Sequence, residues 1–441
     1  MTRGASLRRR GSTALAWVAA GRLLGSRFPQ AAGLLSDTTP VALAGISAAG
    51  LGMVWWFLAF RAASPLVVGA FVAAVGVGNL LGGVAELGAG NAVIRYGATW
   101  PSLRGAMIQT AVVLVGSVAV ALPISIAVVL PSVLVGPTAT GILPTTAVVL
   151  LLALGTSTYG LTDSIMLALG QRRRIFARAI TSSFARIALL LVLAAGSRPS
   201  FATLGVAYGV PLLLSSVALL ALAYRSQNAR PFLLPLDHIR LIAPYAAQSY
   251  LFNLLGSSLP NMLAPLVAVL LGQIAAAQFG VLWLVASLML LFPAALSQTT
   301  FSTLSRGERR GRLLRPSIKL LITLELPIML GLTLLLPLGA PILGPVYAEV
   351  SPRDLLLFMA GVLCVGMANQ IYAQARVIPG GMKLIGMALG VQTVSVLALT
   401  PALAPAWGIG GIAVAWLIGS SLALGVSLGG WWLLVHQGNV R

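Results

Sequence analysis

Acidic residues, lysines, histidines and cysteines are scarce in this chain. Its 441 residues include eight Asp and Glu in total, two Lys, two His and a single cysteine. Arginines, in contrast, number 26. A lone cysteine, Cys364, can form neither an intramolecular disulfide nor a cysteine-based metal cluster. We therefore expect no disulfide framework, no metal centre and no other cofactor.

Long apolar runs, in contrast, are abundant. Hydrophobic residues make up 58% of the chain, and each apolar run is close to the ~20 residues that a helix needs to cross the hydrocarbon of a bilayer. The predicted crossings are 41–62, 66–86, 106–130, 144–170, 176–196, 203–224, 241–270, 273–297, 316–338, 354–375, 384–402 and 407–435. The sequence therefore predicts an all-α polytopic membrane protein with about 12 transmembrane helices.

Basic residues are concentrated on one side of these crossings. Of the 28 Lys and Arg, 24 lie at the chain ends, in the loops that follow even-numbered crossings or, like Arg178 and Lys319, within four residues of such a loop, which we call the basic side. Arg61, Arg198 and Arg353 lie on the opposite side, and Arg186 lies within the fifth crossing. Because short cytoplasmic loops retain Lys and Arg, the basic side and both termini are predicted to be cytoplasmic.

The same loops account for the net charge of +20. A soluble protein of this charge would suggest nucleic-acid binding, but here the arginines meet anionic lipid head groups. We therefore expect membrane lipids, and no nucleic acid, as partners. Residues 1–40 are predicted to be a basic cytoplasmic tail rather than a cleaved signal peptide, because Arg22 interrupts the short apolar stretch and export would invert every later loop.

The crossings divide into two halves. Six crossings span 41–224, a polar and proline-bearing linker covers 225–240, and six more span 241–436. An even number of crossings makes the halves parallel repeats, which in transporters form two lobes around a central cavity. The twelfth crossing has small residues at every fourth position, namely Gly411, Ala415, Gly419, Ala423 and Ser427. This ridge favours close packing inside its lobe over a homodimer seam, so we expect a monomer.

Three crossings carry polar side chains at helical spacing within apolar sequence. They are Thr156, Tyr159 and Asp163 in the fourth, Tyr250, Asn253, Ser257 and Asn261 in the seventh, and Asn369, Gln370 and Gln374 in the tenth. Because an unpaired polar group is costly in lipid, each stripe should face protein or water. We predict that these side chains line the cavity and bind a polar substrate. Interhelical bonds that only hold the helices together are the alternative.

Arg186 is the leading candidate for substrate binding. It lies near the middle of the fifth crossing, where a charge is costly unless it faces a partner or water. Its planar, permanently charged guanidinium can bind two phosphate oxygens at once, and Ser182 one turn earlier extends the same face. The alternative is an internal ion pair between Arg186 and Asp163 of the preceding crossing.

Two acidic residues are candidates for gating or ion coupling. Glu86 ends a ridge of small residues on the second crossing, and Arg95 is its expected partner, either in a structural latch or in a gate that opens during transport. Glu325 lies in the ninth crossing beside Pro327, which lacks the N–H that would bond to the carbonyl of Thr323. A proton-coupling role and a plain buried, neutral glutamate are both open for Glu325.

Four stretches of the chain carry a family resemblance. They are GGVAELGAGNAVIRYGA after the second crossing, LFPAALSQTTFSTLSR from the eighth, LPIMLGLTLLLPLGAPILGPVYA across the ninth and its exit, and PAWGIGGIAVAW at the start of the twelfth. These stretches resemble patterns of bacterial polysaccharide exporters in the multidrug/oligosaccharidyl-lipid/polysaccharide (MOP) superfamily. The resemblance covers roughly 41–435 and leaves the first 40 residues without a counterpart.

The resemblance implies a flippase for a lipid-linked oligosaccharide. Such a protein would move a polyprenyl-pyrophosphate-bound glycan from the cytoplasmic to the outer leaflet by alternating access. The resemblance also implies a bacterial cytoplasmic membrane, a lipid-linked glycan as substrate and glycan assembly enzymes as candidate partners. Because charges and sugars cannot cross hydrocarbon unaided, the protein must offer a wet, partly basic cavity.

Two other functions are open. A proton- or sodium-coupled multidrug or cation antiporter of the same fold would use acidic residues such as Asp163 and Glu325, although Arg186 at this depth argues against a cationic substrate. A polysaccharide polymerase or ligase would need catalytic residues in a large outer loop, but the connections near 131–143 and 339–353 are short and nearly uncharged. The paired carboxylates of glycosyl chemistry are also missing, so we expect no enzyme activity.

Overall fold

The fold is described from a computed structural model of the protein. It covers residues 47, 49–126, 142–226, 234–305, 314–376, 378 and 381–436. Within these ranges the elements are helices, and no strand is present. The tail predicted at 1–40 lies outside the described residues, as does most of the connection predicted at 131–143.

Fourteen α-helices follow one another along the described ranges. They are α1 (Ala49–Ala62), α2 (Pro65–Glu86), α3 (Ala89–Thr99), α4 (Arg104–Ile126), α5 (Ile142–Ala168), α6 (Arg172–Ala194), α7 (Phe201–Ser226), α8 (Leu236–Leu271), α9 (Gln273–Ser305), α10 (Leu314–Leu343), α11 (Pro345–Ala348), α12 (Pro352–Ala375), α13 (Gly381–Trp407) and α14 (Ile409–His436). Eleven of them are long and apolar enough to cross a membrane, and α1 is a shorter apolar helix at the first predicted crossing. The prediction of an all-α polytopic protein is confirmed.

Several helices extend beyond the predicted crossings at their polar ends. α6 begins at Arg172 rather than at residue 176, and α8 begins at Leu236, inside the predicted linker 225–240. α9 continues to Ser305. Hydropathy marks only the part of a helix that matches hydrocarbon, whereas arginine is a good helix former and continues the helix toward the head groups.

The two ends of α2 show how local chemistry sets the helix bounds. α2 begins at Pro65 after Ser64, whose Oγ accepts a hydrogen bond from the Val67 amide at 3.4 Å. After α2, Leu87 (φ 47°) and Gly88 (φ 69°) are consecutive left-handed residues that redirect the chain. The sequence placed this stretch between the second and third crossings and did not predict the 11-residue helix α3 that follows.

The crossings form two lobes, α1, α2 and α4–α7 in the first and α8–α10 and α12–α14 in the second. In the first lobe α2 packs on α5, where a Cβ at Gly78 would meet Leu152 and a Cβ at Gly82 would meet Thr156. In the second lobe α14 packs on α12 and α13. All five small residues of the predicted ridge on α14 are buried, as expected for packing inside the lobe.

Helix α2 also joins the two lobes, because it packs on α8 and α9. A Cβ at Gly69 would overlap the carbonyl oxygen of Gln273 in α9, so glycine lets the two backbones touch. At the other end of α2, a Cβ at Gly88 would overlap the carbonyl oxygen of Ala246 in α8. The seam between the lobes therefore depends on close backbone approach at both ends of one helix.

A second set of contacts closes this seam on the side opposite the basic side. Arg61, at the end of α1, donates from Nη1 to the carbonyl oxygen of Ile342 at 2.8 Å. The rings of Phe60 and Tyr347 meet edge to face with centroids 5.3 Å apart. Tyr347 is only 1% exposed, so this contact lies within the packed interior. The central cavity predicted between the lobes stays a prediction.

Candidate functional site

A buried ion pair joins α5 and α6 in the first lobe. Arg178 Nη2 lies 2.6 Å from Asp163 Oδ1, and the Arg178 side chain is 3% exposed. Arg178 Nη1 donates to Ser216 Oγ of α7 at 3.2 Å and to the Tyr159 carbonyl at 3.3 Å. The guanidinium also lies over the Tyr159 ring, 3.5 Å from its centroid. One arginine therefore holds three helices together.

This pair corrects two sequence-based interpretations. Arg178 was counted with the loop charges of the basic side although it stands at the start of the predicted crossing 176–196, and it lies inside α6, because that helix begins at Arg172. The alternative in which Asp163 pairs with Arg186 is not seen, because Asp163 pairs with Arg178. The spacing contained the signal, since Arg178, Ser182 and Arg186 follow one another at intervals of four and share one helix face.

Arg186 lies on the interior stripe of α6 and is half-buried. Its guanidinium lies over the ring of Tyr208 in α7, 4.4 Å from the centroid. Tyr208 in turn packs against Trp55 of α1, with centroids 5.0 Å apart, and against Phe71 of α2. The Tyr208 ring therefore stabilises the Arg186 guanidinium through a cation–π contact. Tyr208 was not a sequence-based candidate, because an aromatic residue in an apolar helix is most often core.

No acidic side chain neutralises Arg186 among the described residues. The ion pairs in this part of the chain are Asp163–Arg178 and Asp237–Arg240. The Nε of Arg186 is buried without a hydrogen-bond partner, as is the Nε of Arg178. A guanidinium is permanently charged and offers five donors, so Arg186 retains donors for an anionic ligand.

Glu86 and Arg95 contact different neighbours. The carboxylate of Glu86 lies against α5 and α3, where a Cβ at Gly160 would come within 3.2 Å of Glu86 Oε1 and a Cβ at Gly90 within 2.6 Å. The Arg95 guanidinium lies over the ring of Tyr245 in α8, 4.3 Å from the centroid. The expected Glu86–Arg95 pair is therefore not seen, and Arg95 instead links α3 to the second lobe.

A chain of hydrogen bonds connects two of the predicted polar stripes. Thr156 Oγ1 of α5 donates to Asn79 Oδ1 of α2 at 2.8 Å, and Asn79 Nδ2 donates to Asn261 Oδ1 of α8 at 3.4 Å. Asn79 was missed because it stands alone among apolar residues of α2. Its position matters because it bridges the lobes. The side chains of Asn253 and Ser257 lie outside the described residues.

The candidates Asn369 and Gln370 of α12 pack against α9. Gln370 Nε2 donates to the Pro293 carbonyl at 3.1 Å, and the backbone carbonyl of Asn369 accepts a hydrogen bond from Ser297 Oγ at 2.9 Å. Both polar atoms of the Gln374 side chain are buried without a partner. These contacts are of the kind that hold helices together, and they do not join the Arg186 site in the first lobe.

Glu325 lies on the buried face of α10 and is 1% exposed. Its Oε2 has no hydrogen-bond partner, and Pro327 two residues later removes a backbone donor from the same turn. The described residues contain no group of three His, Cys, Asp or Glu that could hold a metal ion. Among the described residues, Glu325 has no ion-pair partner.

Comparisons with solved structures agree on the fold, whereas the other comparisons find no match. No protein-family model matches the chain, and a search of curated proteins finds no match. An inward-facing multidrug resistance MATE family transporter of the MOP superfamily matches with a TM-score of 0.66 and 17% identity, over 88% of this chain and 95% of that one. The lipid II flippase MurJ, in an inward closed conformation, matches with a TM-score of 0.64 and 14% identity, over 89% and 87%.

A MATE transporter from Vibrio cholerae, VcmN, solved as a mutant, matches with a TM-score of 0.62 and 15% identity, over 92% of this chain and 97% of that one. All three structures are of transporters or flippases, and each match extends over nearly the whole chain. The TM-scores establish the fold, whereas identities this low leave the substrate open. The chain therefore has the same fold as these MATE transporters and the flippase MurJ, with 11 helices in the described residues that are long and apolar enough to cross a membrane.

Proposed function

We propose that the protein flips a lipid-linked oligosaccharide, carried on a polyprenyl pyrophosphate, from the cytoplasmic to the outer leaflet. The observation that carries this proposal is Arg186, a half-buried arginine at membrane depth with no acidic partner among the described residues. An arginine in hydrocarbon is retained where it faces a partner, water or a ligand. An anionic head group is the ligand that matches its charge and its fork of donors.

The proposal includes a setting for the protein. The basic side faces the cytoplasm of a bacterium, both termini lie on that side, and the protein acts as a monomer alongside glycan assembly enzymes. The membrane potential, negative inside, favours outward movement of an anion by about 2.3 kcal/mol per charge per 100 mV. Alternating access is supported by the seam between the lobes, because contacts at Arg61 and Gly88 must separate for the lobes to rock.

A multidrug or cation antiporter is the second candidate. It is favoured by Glu86 and Glu325, two largely buried carboxyl groups for which the described residues provide no ion pair. Two of the three structures compared above are MATE transporters, and the third is a lipid flippase. Arg186 favours the flippase, because a permanent cation on the interior stripe repels a cationic drug and attracts a pyrophosphate.

Arg186→Ala tests the proposal. Loss of the charged hydrogen bonds to phosphate should reduce flipping at least about tenfold, since such bonds contribute about 1.5–3 kcal/mol each. Arg186→Lys should recover only part of the activity, because the ammonium lacks the fork. Arg198→Ala is the matched control, since Arg198 is exposed in the short connection after α6.

The measurement is made in cells depleted of the native protein and supplied with each variant. A glycolipid precursor that faces the cytoplasm should accumulate with Arg186→Ala and not with Arg198→Ala, at equal amounts of protein in the membrane. Full export with Arg186→Ala would remove the proposed site. Changed drug tolerance without precursor accumulation would favour the antiporter instead.

A further inference from the structure

A groove runs along the membrane-facing surface of the first lobe, between α6 and α7. Its volume is about 650 Å³, and its walls are almost wholly apolar. Ala185 and Ala188 of α6 line it, and because both side chains are small and exposed, they leave the groove open. Leu214 of α7 forms the facing wall and is 62% exposed. A channel of this kind fits a hydrocarbon chain rather than a polar ligand.

Arg186 lies at the edge of this groove. The groove is lined by Ser182, Ala185 and Leu189, which stand four and one residues before Arg186 and three after it. On a helix these positions surround Arg186. From the facing helix, Pro211 lines the groove one turn after Tyr208, whose ring supports the guanidinium. The Arg186 side chain does not itself line the groove; it adjoins the groove through Ser182 and Leu189, its neighbours on α6.

The end of the groove nearer the basic side is polar. Ser182 and Ser215 line it there, and the next residue, Ser216, binds Arg178 at 3.2 Å. From Thr181 to Val192 the α6 wall extends 11 residues, or about 16 Å at 1.5 Å per residue. A ligand along this surface meets apolar side chains, with Arg186 on one flank; Arg178 is buried and paired with Asp163.

We propose that the groove binds the isoprenoid chain of a lipid-linked anionic substrate while Arg186 binds its phosphate. This inference rests on the proposed function and assigns the lipid part of the substrate to a named surface. Both parts of the ligand keep their preferred surroundings, because the chain stays in contact with apolar side chains and the bilayer while the phosphate meets a fixed positive charge. A phosphatidylcholine molecule would match the groove but not the charge beside it.

Photolabelling tests the assignment. The purified full-length protein is placed in phosphatidylcholine nanodiscs with a polyprenyl phosphate that carries a diazirine on its chain, and the labelled residues are mapped by mass spectrometry. Labels should fall on α6 and α7 along the groove. Ala188→Phe should raise the polyprenyl phosphate concentration needed for half-maximal labelling about tenfold. This is the change expected when about two methylene groups lose their burial.

Two further variants complete the test. Ala185→Phe fills the groove at a second point and should act like Ala188→Phe. Ala177→Phe is the matched control, because Ala177 is an exposed alanine of α6 outside the groove, and it should be labelled as the native protein is. All three positions face lipid, so the added rings need not disturb the core.

Labelling does not depend on transport, so the two proposals fail separately. If the native protein flips its substrate but Ala185→Phe and Ala188→Phe are labelled as strongly as Ala177→Phe, the groove assignment is overturned and the proposed function stands. Equal labelling of the groove by a diazirine-bearing phosphatidylcholine overturns it as well, because the site would then hold bulk lipid. A native protein that fails to flip lipid-linked glycans overturns the proposed function itself.

Discussion

The Asp163–Arg178 pair should respond very differently to the loss of each partner. The Arg178 side chain is 3% exposed, whereas that of Asp163 is 26% exposed. Asp163→Ala leaves a guanidinium that cannot lose its charge in the interior. Breaking a buried pair in this way costs about 3–5 kcal/mol of unfolding free energy. Since Arg178 retains Ser216 Oγ and the Tyr159 carbonyl and ring, we expect the lower end, about 3 kcal/mol.

Removal of the arginine should cost less. Arg178→Met leaves a carboxyl group that is a quarter exposed and can recruit water, so we expect about 1–2 kcal/mol. The double variant Asp163→Ala with Arg178→Met removes both charges. Its cost should therefore fall below the sum of the single changes by at least about 1.5 kcal/mol, a coupling typical of residues in direct contact.

The measurement is reversible unfolding of the purified protein in micelles, followed by the fluorescence of its nine tryptophans. Asp237→Ala is the matched control, because Asp237 and Arg240 are 91% and 82% exposed and 3.9 Å apart. An exposed pair of this kind contributes between 0 and about 1 kcal/mol. The reasoning is refuted if the single changes add within about 0.5 kcal/mol, or if Asp163→Ala is as harmless as Asp237→Ala.

Two other predictions concern the second lobe and the seam. Glu325→Gln should preserve the fold, because the side chain keeps its shape and no ion pair is lost among the described residues. It should abolish the response of transport to an imposed pH gradient. An unchanged response would leave Glu325 as a structural residue. Gly88→Ala should cost about 3 kcal/mol in the same unfolding assay, because it adds a clash with the Ala246 carbonyl to left-handed backbone strain. Gly170→Ala, with φ 71° and open space around it, should cost only about 1–2 kcal/mol; equal costs would show that the clash is relieved.

Periodicity in the sequence was sufficient for much of the fold. Hydropathy placed the crossings because each must match the same thickness of hydrocarbon, and the four-residue ridge from Gly411 to Ser427 predicted the buried face of α14. The assignment of Arg178 to a loop was wrong, and the reason is physical. Hydropathy does not distinguish an arginine in a loop from one in the first turns of a helix that is buried by a partner.

The candidate site was predicted in part. Arg186, Tyr159 and Asp163 are on interior faces, as helical spacing predicted, whereas Asn79 and Tyr208 carry no pattern of their own in the sequence. Their roles arise from contacts with other helices, Asn79 with Thr156 and Asn261, and Tyr208 with Arg186. Such contacts depend on how neighbouring helices are aligned, which local sequence does not specify.

The sequence by itself determined that the chain crosses a membrane about a dozen times, with a basic side and a charge in its fifth crossing, because the bilayer imposes one length and one polarity on every helix. Only the tertiary structure decided which arginine pairs with Asp163. Arg178 and Arg186 are eight residues apart on one face of α6, about 12 Å along the helix. The packing of α5, α6 and α7 sets their alignment, so Arg178 is neutralised by Asp163, whereas Arg186 has no acidic partner among the described residues.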